Sequence, residues 1–360
     1  MRIWLVLLLV FSLGFAGSAL AGGTNGRLVE ISGNVWTQTP GEEEVQARAG
    51  STMVPGTLIR TGADGKAEVI FEDGSTVIIR SNTSLKLSGI KRQRKKTSIL
   101  IFFGRIWNKV SRAMGDRAAY EVNTPVLVAG VRGTVFETAV GDDGSVRIRV
   151  TDGTVAVAGD SRAYDQALKP GQEVEAGIEG IERSGAADED VDWEKWNAQK
   201  REHLRKQGRT IVDNVKERIL FRKEKLEALR VRQKEIESQR KAAISRARTG
   251  DSEAIEEIRR YNEALVRIAD EIADLGDAAG SQFGMVDHFS ELAMDPRFKM
   301  IDGKYVVAEV ERMQRIEAMF DEMIAEGTDI SMEAMEKMLQ EMSDGHKGSL
   351  KFPKGSSAED

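Results

Sequence analysis

Two stretches of this 360-residue chain share one pattern: Asp64-Gly65-Lys66-Ala67-Glu68-Val69-Ile70-Phe71-Glu72-Asp73-Gly74 and Asp143-Gly144-Ser145-Val146-Arg147-Ile148-Arg149-Val150-Thr151-Asp152-Gly153. In the first, Ala67, Val69 and Phe71 alternate with Lys66, Glu68 and Ile70. In the second, Val146, Ile148 and Val150 alternate with Arg147 and Arg149. Such alternation lays one face of an extended strand on a core and the other toward water. Asp-Gly pairs bound both runs, as in type I′ hairpin turns, whose two central residues take positive φ. Asp64 superposes on Asp143 and Asp73 on Asp152, and Thr76 and Ile78 then fall on Val155 and Val157. The matched phase implies a weak internal repeat of a β-hairpin unit.

The same character extends outward. Gly33-Asn34-Val35-Trp36 precedes Pro40-Gly41, and Val54-Pro55-Gly56 leads into Thr57-Leu58-Ile59-Arg60. Ser98 to Trp107 is an apolar strand pattern broken at Gly104, and Pro170-Gly171 precedes Glu173-Val174-Glu175. Glycine and proline sit between the alternating runs, where a sheet accepts them. Residues 24–183 therefore read as an all-β domain of short strands, closing as a barrel, a sandwich or a short solenoid.

After Gly185 the turn signals thin out, and residues 188–345 read as α-helical. Asp190 or Asp192 can cap the first helix, with Trp193 and Trp196 on one face. Leu226, Leu229, Ile236, Ala243 and Ala247 follow a three-four spacing, with Gln233 and Arg240 as polar interruptions. Thr249-Gly250-Asp251-Ser252 reads as a stop and a new cap. Ile258, Tyr261, Leu265, Ile268, Ile272 and Leu275 then form an a/d seam, so an antiparallel coiled-coil hairpin is expected, its second helix spanning Ser252 to Leu275. Lys195 to Arg248 carries 18 Lys/Arg against 7 Asp/Glu, and Asp251 to Asp344 carries 9 against 24. Opposite charge favours pairing of these helices within the chain. Ten of the 13 methionines fall between Met285 and Met342, in one stripe with Val306, Val310, Met313 and Phe320 and a second with Met332, Met335 and Met342. Thioethers suit an adaptable core or partner face. The fold class is thus α+β in two parts, followed by a tail, residues 346–360, expected to be disordered.

Composition excludes several functions. With no cysteine there is no disulfide, thiol nucleophile or cysteine metal site, and His203, His288 and His346 are far apart in sequence. A formal charge of −6 gives no reason to expect nucleic acid. Met1-Arg2, the apolar run Ile3 to Phe15 and Ala19-Leu20-Ala21 have the order of a secretory signal peptide, residues 1–21, cut after Ala21. The mature chain is expected to be periplasmic or secreted, with no integral membrane segment. No phosphate loop, nucleophile elbow or distinguished carboxylate pair is present, so the expectation is a non-enzyme without cofactor or metal.

Val122-Asn123-Thr124-Pro125-Val126-Leu127-Val128-Ala129-Gly130-Val131-Arg132-Gly133-Thr134-Val135-Phe136-Glu137 resembles the signature of the FecR domain family. Leu58-Ile59-Arg60-Thr61-Gly62 with Ala67 to Gly74, and Gly104-Arg105-Ile106-Trp107, agree with it in order. The resemblance covers about residues 26–178. It implies an exported β-rich domain, which in regulatory members senses a partner and relays that to a sigma factor. Those regulators carry a cytoplasmic part and a membrane helix before the domain, whereas a signal peptide precedes it here. A stand-alone exported module is the expectation.

Within the signature Thr124 and Pro125 start a strand, Gly130 and Gly133 flank Val131 and Arg132, and Thr134 and Phe136 follow. These are mainly structural residues. Arg132 either holds backbone carbonyls or meets a carboxylate partner, and it is the first binding candidate. Lys91, Arg92, Arg94, Lys95 and Lys96 form a basic run that is either a solvated loop or an anionic-polymer site. The leading expectation is a non-catalytic envelope protein whose β domain binds a protein or envelope polymer while the helices oligomerise or dock a partner. An envelope sensor acting through a separate membrane protein and a cell-wall glycan hydrolase are the alternatives.

Overall fold

The computed structural model describes residues 25–90, 96–112, 120–159, 166–188, 192–249 and 251–348, with side chains described to Asp329 in the last helix. The segment 1–21 expected to be a signal peptide, the basic residues Lys91, Arg92, Arg94 and Lys95, and the tail from 349 onward lie outside the described residues.

The first strands are β1 (Gly26–Ser32), β2 (Val35–Gln38), β3 (Val45–Gln46), β4 (Thr52–Met53), β5 (Leu58–Thr61), β6 (Lys66–Phe71), β7 (Thr76–Ile79), β8 (Thr83–Leu87) and β9 (Thr97–Lys109). Then follow β10 (Tyr120–Asn123), β11 (Leu127–Val131), β12 (Val135–Val140), β13 (Val146–Asp152), β14 (Val155–Gly159), β15 (Gln166–Leu168), β16 (Gln172–Gly177) and β17 (Gly180–Ala186). They form two layers that share β9. One layer runs β3-β2-β5-β8-β9-β10-β11-β14-β15 and the other β4-β1-β6-β7-β9-β12-β13-β16-β17. We call them the first and second sheets. Apolar residues alternate inward from both: Val35, Ile59, Leu85, Ile101 and Val157 from the first meet Leu28, Val69, Ile106, Phe136 and Ile148 from the second in one core. The arrangement is a sandwich.

Strand β9 crosses from one sheet to the other at Gly104. Ile99 to Phe103 pair with β8, and Gly104 to Lys109 pair with β12. Gly104 takes φ +99°, and a Cβ there would stand 2.5 Å from Thr83 Cα. Only glycine permits both the left-handed bend and the close approach.

The turns differ from expectation. Gly74 and Gly144 have positive φ, but Asp73 and Asp143 do not. Gly74 N–H bonds Phe71 O while Phe71 N–H bonds Ser75 O, and residues 141–145 repeat this. These are three-residue loops with a left-handed glycine, not type I′ turns. Each aspartate instead accepts from the serine two residues on, Asp73 at 2.8 Å and Asp143 at 2.9 Å. The internal repeat holds in strand position but not in pairing. Strands β6 and β7 form a hairpin, whereas the corresponding β13 and β14 lie in different sheets.

Three helices follow: α1 (Trp193–Arg248), α2 (Glu253–Met294) and α3 (Gly303–Gly348). Asp192 caps α1 through Lys195 N–H at 3.3 Å. Asp251, rather than Ser252, caps α2, accepting from Glu253 and Ala254. The expected hairpin is a three-helix bundle, because α3 packs on both partners. Gln233 and Arg240, the breaks in the seam, are buried and each makes a contact across the bundle: Gln233 Nε2 donates to Gly327 O at 2.6 Å and Arg240 Nε to Asn262 Oδ1 at 2.5 Å. Such buried polar contacts fix register. Charge pairing across helices appears in Lys216–Glu309 at 2.8 Å and Arg230–Glu326 at 2.6 Å. The second methionine stripe lies on α3 beyond the described side chains.

Helix α2 does not end at Leu275 but continues five turns further to Met294. Gly276, Gly280 and Gly284 recur every fourth residue and lie against the first sheet. A Cβ would meet Ile90 at Gly276, Leu100 at Gly280 and the Phe102 ring at Gly284. Close packing on β9 outweighs the roughly 1 kcal/mol that each glycine costs a helix.

A braced signature segment and an open sheet face

The Thr-Pro turn of the signature is tied to the bundle. Thr124 Oγ1 donates to Leu127 O at 2.6 Å and accepts from Leu127 N–H at 2.9 Å, closing the turn before β11. The outward carbonyls of Thr124 and Pro125 accept from Ser281 Oγ at 2.9 Å and Gln282 Nε2 at 3.0 Å, both on α2. One helical turn earlier, the buried Asp277 accepts from Ser88 Oγ at 2.5 Å and Ser98 Oγ at 2.7 Å, and Ser98 Oγ accepts from Asn123 Nδ2. A buried polar seam thus joins β8, β9, β10 and the signature to α2.

The turn Asp142-Asp143-Gly144 is held by two helices. His288 of α2 bonds Asp142 Oδ1 at 2.9 Å and stacks on Phe103 with ring centroids 3.8 Å apart. Asn197 and Arg201 of α1 reach the other Asp142 oxygen, Arg201 at 3.5 Å. His203 Nδ1 lies 2.8 Å from Asp143 Oδ2, a bond that raises the imidazole above its ordinary pKa. This is the geometry of a brace between the two parts. Among the described residues no group of His, Asp and Glu is placed to hold a metal ion.

The expected site residues fall in different surroundings. Val131 and Phe136 are buried in the core. Thr134 Oγ1 bridges Arg132 O and Thr154 O. Gly133 takes φ +59° beside the Arg112 side chain, but Gly130 lies in an ordinary stretch of β11 with room for a Cβ, so its freedom is not needed. Arg132 is exposed on the turn after β11. Its backbone carbonyl accepts from Thr134 Oγ1 at 3.1 Å. Lys96 is held in ion pairs with Glu121 and with Asp274 of α2 at 3.2 Å, and is occupied within the fold.

Residues 57–156, from β5 into β14, match the family model described as FecR protein. The chain carries a FecR domain. No curated protein matches the chain. The family match stops short of β1–β4, β15–β17 and the helices, so the brace described above adds to the FecR domain from outside it.

The two outer faces of the sandwich differ. On the first sheet, Ser98, Leu100 and Phe102 lie under α2. On the second sheet, Arg105, Trp107 and Lys109 of β9 point outward, the first two half-buried and Lys109 exposed. Across the strands, Ile78 stands opposite Trp107, Trp107 opposite Glu137, Glu137 opposite Arg149, and Arg149 opposite Glu173. Glu173 is buried and gathers Arg147 at 2.6 Å, Arg149 at 3.7 Å and Arg183. The start of α1 covers one end, with Arg105 5.6 Å from the Trp193 ring centre and Trp196 Nε1 donating to Glu175 at 2.7 Å. No described helix covers the other end, where Ile70 and Val29 are exposed and Trp107 and Ile78 half-buried. The alternation of Gly104-Arg105-Ile106-Trp107 alone carries the signal for this face: Ile106 points in and Trp107 out.

Proposed function

We propose that this chain is a non-catalytic exported envelope protein whose FecR domain docks a protein partner on the outer face of the second sheet. The observation that carries this reading is the contrast between the two faces. One is covered by α2, while the other leaves Trp107, Ile78 and Ile70 in a patch framed by paired charges. Tryptophan and arginine dominate the energetics of protein interfaces. The charges of the row are matched within the sheet, which suits a protein partner better than an anionic polymer. The FecR domain fits a role in envelope binding or signalling. Export rests on the order of charged, apolar and small residues over 1–21, and no helix among the described residues is long and apolar enough to cross a membrane. The bundle braces the domain and supplies a second surface for docking or self-association.

Cross-linking of intact cells with a lysine reagent, followed by peptide identification, tests the proposal. Lys66 or Lys109 is expected to cross-link to one envelope protein, and the product to be lost in Trp107→Ala. Products that persist unchanged in that variant, or that join only cytoplasmic proteins, overturn it.

A further inference from the structure

A groove of about 680 Å3 lies between the FecR domain and the bundle, within the roughly 300–1,000 Å3 of ligand clefts. Leu58 of β5, Lys86 of β8 and Phe102 of β9 form one wall, and Phe283, Phe320 and Ile324 of the helices form the other. Asp287 of α2 and Glu317 and Asp321 of α3 border it. Glu317 and Asp321 are four residues apart and share a helix face. Gln314 donates to Asp287 at 3.0 Å. Glu317 and Asp321 form no hydrogen bond or ion pair among the described residues, and among those residues Lys86 is the one cation lining the groove. Burial, reinforced by the charges of Asp287 and Asp321, pushes the Glu317 carboxyl up to about 7. Burial likewise raises Asp321.

Acidic residues alone would make a solvated patch. Here they edge a cleft whose hydrocarbon walls come from both parts of the molecule. Besides Asp277, which the serines of the seam hold, three carboxylates face one ammonium among the described residues, leaving an excess of negative charge there beside an apolar floor. A long basic side chain has the complementary build, an alkyl stem with a cationic head. We infer that the groove receives an extended peptide segment of a partner protein through an arginine or lysine, its stem on Phe102 and Phe320 and its head among Asp287, Glu317 and Asp321. This site is separate from the Trp107 face, and either can fail without the other.

Calorimetric titration of the full chain with N-acetylated, C-amidated Leu-Arg-Leu-Arg at pH 8 tests the inference. Saturable binding is expected, at least tenfold weaker in Glu317→Gln/Asp321→Asn, unchanged in Glu253→Gln/Glu256→Gln at the distant start of α2, and unchanged in Trp107→Ala. Lowering the pH to 5.5 is expected to weaken it as Glu317 takes up a proton. The double variant removes repulsion and is expected to fold, which circular dichroism checks. Absence of binding, equal binding by the double variant, or equal binding of Leu-Glu-Leu-Glu overturns the inference. Equal affinity for arginine amide alone overturns the peptide occupant in favour of a small amine.

Discussion

Asp277→Ala probes how firmly the FecR domain and the helices are joined. Asp277 is 1% exposed and receives Ser88 at 2.5 Å and Ser98 at 2.7 Å. Hydrogen bonds to a charged group contribute about 1.5–3 kcal/mol each, and a buried donor left without an acceptor loses about 1–3 kcal/mol. Truncation strands two hydroxyls, a loss of about 3–6 kcal/mol on these figures. Against this, the variant no longer buries a carboxylate, which costs several kcal/mol. The expected net destabilisation is about 2–3 kcal/mol, with Asp277→Asn losing about half as much because its amide oxygen still accepts one hydroxyl. Urea unfolding followed by helical circular dichroism and by tryptophan fluorescence reads the effect. In the wild type the two signals are expected to fall together. In Asp277→Ala the midpoint drops and the signals separate, because the seam couples the parts. A loss below about 0.5 kcal/mol, the range of neutral surface substitutions, refutes the reasoning.

Gly104→Ala puts a Cβ 2.5 Å from Thr83 Cα at φ +99°; strain and overpacking together are expected to cost about 3 kcal/mol or more, read as a lower urea midpoint. His203→Gln tests the brace at Asp143. Because the folded imidazole is raised, the pair stabilises fully below the ordinary histidine value near 6.5 and is lost as pH rises through the folded value. The wild type is therefore expected to exceed the variant at pH 5.5 by a few tenths of a kcal/mol, discounted because the ring is half exposed, and to match it at pH 9; a difference that grows with pH contradicts the assignment. Glu317 carries the opposite sign: its raised carboxyl penalises the fold above the ordinary glutamate range, so Glu317→Gln is expected to melt higher than wild type at pH 8 and to lose that advantage at pH 4.

The strands were legible because Val69, Phe71, Ile148 and Val150 keep strict alternation, which few other structures tolerate. The turn type was not, since Asp-Gly serves a glycine-bulge loop as well as type I′, and the difference lies in the φ of a single aspartate. Gly276, Gly280 and Gly284 read locally as helix breakers, and only the proximity of Leu100 and Phe102 explains them. The brace was invisible for a different reason: His203 and Asp143 are 60 residues apart, and His288 and Asp142 are 146 apart. No local pattern marks such pairs. Arg132 stands out by its glycine neighbours, and in the fold its residue is exposed while its carbonyl accepts from Thr134. Trp107 lay within a noted motif, but its outward phase becomes meaningful only once α2 is seen to cover the opposite sheet.

Hydroxyl-radical footprinting of Trp107 compares the purified chain with the chain in intact cells most directly. If the open sheet face is a docking surface, the indole is oxidised in the purified chain and protected in cells, while Phe221, 45% exposed on α1, is labelled in both. Equal oxidation of Trp107 in the two settings contradicts the account.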